Sequence, residues 1–501
     1  MRERITFIQK LGDSLEPSSL KINGGVISGP EVKAVREDRV TLALEELPTE
    51  LQSLLKGVHE LHIRWISPEP YESVSPLLAR LPPGFHLFFT PGKGDHTASN
   101  KLCSTLSEIF GHVNCSTPAE SFTSLPSDRF SHSTAFQYYQ PLETLSGFVQ
   151  YAKHQLCSGS DSSCTARADT LAKASSLDIS YDTISHALKV TTLWPYQRQP
   201  IHATSRPWSR TEVGVLSADK PATLDAHELG ISGLLTVLGQ DSKPSVTMFT
   251  FASRHRDAES AFSTKILEPV GLHPTLQIQL ESNKPPATDA YCSPHAYFTL
   301  PKGIFADKYQ LGDDLFLASK NLTALRYISQ PVDLEAPEYV MKGWGSAVLL
   351  QLTPPKSDKA QPWTAEIPLH LRYLEPNRGG YETIEVPYPA VFWACTAEEG
   401  TKFPNNPFER VNLGYDGLFG PRTVFWHVEP RPLGGGQLQN AIRVPVLDLD
   451  KSAWVNIGTA VAVLVGFAWV AWRLAAVYLS SGYGNEAAAP VTEAGKEKKR
   501  Q

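Results

Sequence analysis

Two short groups of polar residues in this sequence have the side chains and the spacing of chemically active groups. His370 and Arg372 lie two residues apart within PLHLRYLEP, and Asp448 and Asp450 form an Asp-x-Asp pair. Imidazole and carboxylate side chains are common general acids and bases, and a carboxylate can activate the hydroxyl group of an acceptor. Each group therefore raises the question of whether the chain catalyses a reaction or supports one.

The residues around His370 favour a strand. Apolar and polar side chains alternate from Ile367 to Tyr373, and this period of two places His370 and Arg372 on the polar face, about 7 Å apart. The run from Tyr381 to Val386 is rich in β-forming residues, so the two runs are predicted to form a hairpin. A solvated or partner-facing strand edge is therefore the simpler interpretation of His370, Arg372 and Tyr373.

The other candidate catalytic and ligand-binding patterns are weak. Asp448 and Asp450 precede a long apolar segment, but Asp-x-Asp is a common pattern, and a charged flank explains the pair. The sequence contains neither Gly-x-Ser-x-Gly nor a phosphate-binding loop, and its six cysteines form no Cys-x-x-Cys pair. We therefore predict no catalytic, cofactor-binding or metal-binding residues.

Composition favours a mainly β protein with more than one domain. A chain of 501 residues has room for two or three domains. The net charge is −6, and no basic patch alternates with aromatic residues, which argues against a nucleic-acid partner. Short alternating runs recur, and proline (39) outnumbers glycine (34). We expect a β-rich region over 1–285, which could comprise one module or two, and a β-sandwich-like domain over 286–450.

One segment is long and apolar enough to cross a membrane. The 21 residues from Ser452 to Trp472 carry no charge, and as a helix they extend about 31 Å. Basic residues follow this segment in the short tail over 473–501. The positive-inside rule therefore predicts a cytosolic tail and a lumenal or extracellular body. Gly458, Ala462 and Gly466 recur every four residues and predict a face on which another helix can pack.

Other short signals bear on this topology. Asn114 and Asn321 begin Asn-x-Ser/Thr triplets within the predicted lumenal region, so both are expected to carry glycans. The first residues, MRERITFIQKLGDSLEP, contain no apolar core of a cleavable signal peptide. Lys498 and Lys499 stand at the fourth and third positions from the end. They resemble the dilysine signal that retrieves membrane proteins to the endoplasmic reticulum.

Three longer blocks resemble a known family. They are CSPHAYFTLPKGIFADKYQL at 292–311, HLRYLEP at 370–376 and VPYPAVFWAC at 386–395. Together with the C-terminal apolar segment, these blocks resemble the PIG-X family and its fungal members, which are named for protease B non-derepressible. The resemblance covers about 290–480, and residues 1–285 match only the general character of the long N-terminal extension in the fungal members.

This resemblance implies a non-catalytic role. The family is expected to provide the stabilising subunit of glycosylphosphatidylinositol (GPI) mannosyltransferase I, which adds the first mannose to the anchor precursor in the lumen of the endoplasmic reticulum. The implied partner is a PIG-M-type polytopic catalytic subunit that uses dolichol-phosphate-mannose, and fungal members are also linked to the folding of other proteins. The chain itself would need no cofactor, and His370, Arg372 and Tyr373 would shape a surface that contacts the partner.

One further expectation follows from the matched region. Cys292 and Cys395 open and close it, and both border apolar strand-like runs, so they are expected to form a long-range disulfide.

Two other classes of protein are the alternatives: a β-rich single-pass receptor or adhesion protein, and a chain that is itself a lipid-linked sugar transferase. The dilysine pair argues against residence at the cell surface, and a single span argues against a transferase.

Overall fold

The computed structural model describes most of the chain and shows a mainly β protein. Strands account for 43% of the residues and helices for 23%, which confirms the predicted fold class. The described residues are 1–92, 96–125, 135–157, 161–206, 209–221, 224, 227–268, 271–287, 291–329, 333–410 and 414–481.

The first sheet is built from the N-terminal half of the described chain. Its twelve strands run in the order β12-β11-β10-β1-β3-β9-β8-β4-β5-β7-β6, with β2 paired to β3. Every pairing is antiparallel except that of β1 with β10. The strands are β1 (Arg2–Gln9), β2 (Lys21–Asn23), β3 (Val26–Ala43), β4 (Val58–Ile66), β5 (Gly84–Pro91), β6 (Thr123–Ser124), β7 (Phe136–Gln140), β8 (Ser176–Asp182), β9 (Ala187–Thr204), β10 (Arg210–Asp219), β11 (Glu228–Val237) and β12 (Ser245–Ala252).

The second sheet contains eight strands in the order β17-β18-β15-β22-β23-β13-β14-β19, and two small sheets pair β16 with β20 and β21 with β24. The remaining strands are β13 (His255–Ile266), β14 (Thr275–Leu280), β15 (Cys292–Pro301), β16 (Ile304–Phe305), β17 (Leu322–Ile328), β18 (Gly345–Leu352), β19 (Trp363–Pro368), β20 (His370–Leu371), β21 (Tyr381–Pro387), β22 (Ala390–Thr396), β23 (Thr423–Pro430) and β24 (Gln439–Pro445).

The predicted hairpin around His370 is wrong. The alternating run is divided between β19, which pairs with β14, and β20, which pairs with β16, while β21 pairs with β24. The strand breaks at Leu369, whose N–H donates to the carbonyl of Pro274. Alternation identified a strand correctly, but pairing depends on residues distant in sequence.

Seven α-helices accompany the strands in the described part of the chain. They are α1 (Thr49–Lys56), α2 (His96–Phe110), α3 (Pro118–Ser121), α4 (Ser146–Tyr151), α5 (Ser162–Thr170), α6 (Asp314–Ser319) and α7 (Ser452–Ser481). The apolar side of α2 contributes Leu102 and Leu106 to the largest core. Helices α1, α2 and α4, from the N-terminal half of the chain, therefore pack into this core.

The two large sheets share that core. It contains Phe85 of β5 from the first sheet together with Tyr297, Phe392 and Phe425 from the second. Residues 1–374 and 383–443 accordingly form one compact unit, and 375–382 with the chain from Val444 onward form another. The expected boundary between 285 and 286 falls inside the second sheet, because β13 and β14 precede it; division into two domains stays a prediction.

Helix α7 contains the apolar segment. It has 30 residues and therefore extends about 45 Å, and the mean hydropathy of its span is 2.0. By length and composition it can cross a membrane near the C-terminus. The predicted span ended at Trp472, whereas the helix continues to Ser481.

Candidate functional site

His370 lies in a small polar contact. Its Nδ1 lies 2.9 Å from Nδ1 of His273, its Nε2 lies 3.0 Å from Oε1 of Gln310, and its ring stacks on Phe305. Burial, followed by the charge of His273, lowers the pKa of His370. Both ring nitrogens are thus engaged within the protein, and burial favours the neutral imidazole. This arrangement orients β20 and leaves neither nitrogen free to accept a proton from a substrate.

Arg372 and Tyr373 occupy different environments. Arg372 is only 5% exposed, its Nη1 donates to the carbonyl of Ala336 at 2.7 Å, and its guanidinium lies over Phe305 at 4.4 Å. Tyr373 is 69% exposed. The position of Arg372 differs from the expected partner surface, because β20 ends at Leu371 and the N–H of Arg372 donates to Gly303. Among these three residues, Tyr373 alone exposes most of its side chain to solvent.

Three disulfides link all six cysteines. Cys292 and Cys395 are directly opposite each other on β15 and β22, with Cα atoms 4.1 Å apart. The other pairs join residues close in sequence, namely Cys103 with Cys115 and Cys157 with Cys164. Only the Cys292–Cys395 bridge therefore connects parts of the chain that are distant in sequence.

Both sequon asparagines lie at the surface. Asn114 is exposed and directly precedes Cys115. Asn321 is also exposed, has a φ of 56°, and donates from Nδ2 to the carbonyl of Thr364 at 2.8 Å. The hydroxyl of Thr323, the third residue of the second sequon, lies 2.6 Å from that of Thr353. Exposure is compatible with glycosylation at both asparagines, and their modification stays a prediction.

The membrane-proximal candidates show local structure only. The side chain of Asp448 accepts from the N–H of Asp450 at 3.1 Å and lies 3.3 Å from the ammonium group of Lys451. Asp448 therefore caps the turn before α7. A cap and charged flank explain the Asp-x-Asp pattern. Gly458, Ala462 and Gly466 are exposed along α7, so the face they form is available to a second helix. Lys498 and Lys499 lie outside the described residues.

A buried histidine pair in the second sheet escaped the sequence patterns. His255 Nδ1 lies 2.9 Å from Nε2 of His427, and the ring of His255 stacks on Phe425. Burial, followed by the charge of Arg254, lowers the pKa of His255 to about 3. Burial also lowers the pKa of His295 to about 4. Single histidines on strands gave no signal, because β13 and β23 become neighbours only in the fold.

A buried ionic network in the first sheet was also missed. Glu37 is fully buried, and Arg4 lies 2.7 Å from it, Arg39 3.7 Å and Arg410 3.8 Å. Arg410 also forms an ion pair with Asp178 on β8. Burial opposes the ionisation of Glu37, but Arg39, Arg410 and Arg4 outweigh this effect and keep its pKa low. Arg410 therefore connects a late segment of the chain to two strands of the first sheet.

The opposite face of β3 carries a second set of ion pairs. Arg36 donates to Asp38 through Nε and Nη2, both at 2.8 Å, and Arg167 from α5 lies 3.1 Å from the same carboxylate. Arg167 also contacts Glu3 on β1. Within the described residues, no group of three or more histidine, cysteine or acidic side chains is placed to hold a metal ion. The charged groups instead join strands and helices to one another.

Comparison with known proteins identifies a family. The family described as PIG-X / PBN1 matches residues 269–475. The chain is 68% identical over 487 residues to the protein named pbn1 of Neurospora crassa, with 97% of each chain covered. It is 48% identical over 500 residues to the protein named PBN1 of Gibberella zeae, with 100% of each covered.

Solved structures add nothing to this comparison. The match to the collagen-binding domain of the surface protein RspB from Erysipelothrix rhusiopathiae covers 53% of this chain and 72% of the RspB chain, with a TM-score of 0.15 and 6% identity. A likeness this low carries no argument.

The similarity to the fungal proteins extends over nearly the whole chain. The family match begins just before β14 and continues into α7, so it includes most of the second sheet and much of the apolar helix. A relative at 68% identity covers the first sheet as well. The chain therefore belongs to the PIG-X / PBN1 family.

Proposed function

We propose that this chain is the non-catalytic, stabilising subunit of the endoplasmic-reticulum mannosyltransferase that adds the first mannose to the GPI anchor precursor. The observation that carries the proposal is the family match over 269–475, which includes most of the second sheet and much of α7. Its catalytic partner would be a PIG-M-type polytopic subunit that uses dolichol-phosphate-mannose. A chaperone-like role toward other proteins is part of the proposal, because fungal members of the family are linked to protein folding.

The chemistry of the described polar groups supports an accessory role. His255 and His295 are held neutral by burial, and His370 is engaged at both ring nitrogens. Arg372 and Arg410 make internal contacts, and Asp448 caps a turn. These groups stabilise the fold, so the first mannose transfer is assigned to the partner.

Topology is part of the same proposal. Helix α7 would span the endoplasmic reticulum membrane once, with the tail in the cytosol and the β-rich body in the lumen. Glycans on Asn114 and Asn321 would then be sensitive to endoglycosidase H, whereas a receptor that reached the cell surface would carry resistant glycans. Replacement of both asparagines by glutamine should remove the mobility shift, and a shift that persists would contradict these two sites.

The partner contact is expected at two places. Tyr373 offers an exposed aromatic side chain, and aromatic residues are enriched at interfaces. The face of Gly458, Ala462 and Gly466 allows close packing of a helix within the membrane. Gly458→Leu with Gly466→Leu should reduce recovery of the catalytic subunit on co-purification, and Leu464→Ile is a control within the same helix. Equal recovery in both variants would place the association in the lumenal body.

Depletion of this chain tests the proposal directly. A partner that binds only the folded catalytic subunit stabilises it by mass action, so depletion should lower the abundance of that subunit. First-mannose transfer per remaining catalytic subunit should change little. Normal abundance with transfer abolished would contradict the stabilising role and return catalysis to this chain.

A further inference from the structure

An open polar cleft lies beside the end of β13. Its volume is about 480 Å³, within the range of about 300–1,000 Å³ that is typical of small-molecule sites. Thr264, Tyr388 and Asn440 form a buried floor. Asn440 donates from Nδ2 to Oγ1 of Thr264 at 2.7 Å, and the hydroxyl of Tyr388 donates to the carbonyl of Thr264 at 3.1 Å. These bonds fix the floor before any ligand enters.

Two amide side chains line one wall of the cleft. Gln439 donates from Nε2 to Oε1 of Gln437 at 2.7 Å, and Gln437 donates from Nε2 to Oε1 of Glu69 at 3.0 Å. Each primary amide has two N–H donors and an oxygen with two lone pairs. The two hydrogen bonds of this wall use some of these donors and acceptors and orient the remaining ones. The wall thus presents several neutral donors and acceptors in fixed directions.

The charges around the cleft are balanced. Lys265 and Glu268 are both exposed beside it, and their formal charges cancel. A phosphate or carboxylate ligand would meet a carboxylate as well as an ammonium group, so this lining does not favour an anion. Neutral hydroxyl groups can donate to a carboxylate and to amide oxygens, and they can accept from ammonium and amide N–H groups. The lining therefore suits a neutral ligand with several hydroxyls.

The rim of the cleft provides an apolar surface and open space for a ligand. Leu433 is 60% exposed at the cleft, and Ile266 also lines it. Gly434 and Gly435 follow Leu433 with φ of 76° and 72°, and an added Cβ would meet nothing within 4 Å at either position. A pyranose ring has hydroxyls around its edge and a C–H face that can contact an aliphatic side chain. Both surfaces of such a ring have a counterpart in this cleft.

We propose that this cleft binds a neutral hexopyranose unit of a glycan. Gln437, Gln439 and Asn440 bind the hydroxyls, Lys265 and Glu268 complete the polar edge, and Leu433 contacts the ring face. The site goes beyond the proposed stabilising role and does not depend on it, because a subunit that stabilises its partner needs no sugar site. Failure of one idea therefore leaves the other intact.

Sugar binding can be measured on the full chain in a detergent without a sugar headgroup. Methyl α-mannoside and methyl α-glucoside serve as probes in ligand-observed NMR, and saturable binding to the wild-type protein is expected. Gln437→Leu with Gln439→Leu should weaken binding at least tenfold. Gln279→Leu on the exposed side of β14 is the matched control and should bind as the wild type does. Lys265→Met leaves the amides in place and should weaken binding severalfold, so the test survives if the double variant fails to fold.

Two further probes separate the sources of a pyranose. α-Mannobiose represents a glycan chain and N-acetylglucosaminyl-inositol, which is also neutral, represents an inositol-linked core, and the one that binds more tightly identifies the source. The proposal is overturned if no pyranoside binds saturably, if the wild type and the cleft variants bind equally, or if inorganic phosphate binds while the pyranosides do not.

Discussion

The two large sheets bury polar groups in different ways. The first sheet encloses arginine–carboxylate pairs on both faces of β3, whereas the second encloses a neutral histidine pair among aromatic rings and a long-range disulfide. Arginine and carboxylate groups keep their charge across physiological pH, so the first arrangement depends on every partner being present. Buried histidines depend on staying uncharged. We therefore expect different perturbations to destabilise the two sheets.

Loss of the long-range disulfide should have the largest effect. The Cys292–Cys395 bridge closes a sequence separation of 103, against 7 for Cys157–Cys164. The chain-entropy estimate gives about 5 kcal/mol for the first and about 2 kcal/mol for the second. Cys292→Ala with Cys395→Ala should therefore lower the free energy of unfolding more than Cys157→Ala with Cys164→Ala. Denaturant unfolding measures both, and equal losses would show that the length of the closed loop does not set the stabilisation by the second sheet's disulfide.

Arg410→Met tests the ionic network of the first sheet. This substitution keeps the aliphatic volume but leaves Glu37 and Asp178 without a shared cation. Removal of one partner that leaves a buried charge unpaired costs about 3–5 kcal/mol. Glu37 keeps Arg4 and Arg39, and Asp178 keeps Arg64 at 2.9 Å. A loss at the lower end of that range is therefore expected in denaturant unfolding. If the first sheet tolerated this change with a loss below about 1 kcal/mol, its polar interior would resemble an exposed surface network.

Acid should act first on the second sheet. Burial lowers the pKa of His255 to about 3 and that of His295 to about 4, and it also lowers the pKa of His427. Unfolded histidine titrates near about 6.5, so the unfolded state binds more protons below that pH. Stability is fully present above about pH 6.5 and falls toward pH 4, by at most about 1.4 kcal/mol per pH unit for each histidine.

The slope of this acid loss can be assigned by substitution. His295→Gln removes one titrating group and should make the dependence of the melting temperature on pH shallower between pH 7 and 5. His86 in the first sheet, whose pKa burial lowers to about 4, is the matched site: His86→Gln reports its contribution to the same slope. Because burial lowers both pKa values to about 4, the two variants should flatten the slope about equally, and the further acid loss should come from His255 and His427. A slope that His86→Gln removes almost completely would contradict the assignment of this loss to the second sheet.

Arg431→Met should have the smallest effect. Arg431 is paired with Glu429 at 2.9 Å, but its side chain is 63% exposed. Exposed ion pairs contribute about 0–1 kcal/mol because water and salt screen them. The expected loss is therefore below about 1 kcal/mol and should shrink further in high salt. A loss as large as that of Arg410→Met would show that burial does not separate the two arginines.

Local patterns predicted the elements more reliably than their partners. Alternation around Ile367 correctly indicated a strand, and the absence of charge from Ser452 to Trp472 correctly indicated a long apolar helix. The same alternation failed to place Arg372, which lies inside the fold because β20 is only two residues long. A period of two reports which side chains share a face, but it does not report where the strand ends or what covers it.

The mainly β character, the apolar helix and the family could be read from the amino-acid sequence, because each depends on residue types within short or matching stretches. The contacts of His255 with His427 and of Arg410 with Glu37, and the shared cleft of Gln439 and Thr264, became apparent only in the folded chain. These groups are separated by more than 170 residues in each case, and their pairing and burial arise from strands that become neighbours only when the chain folds. Charge state, exposure and ligand chemistry follow from that proximity.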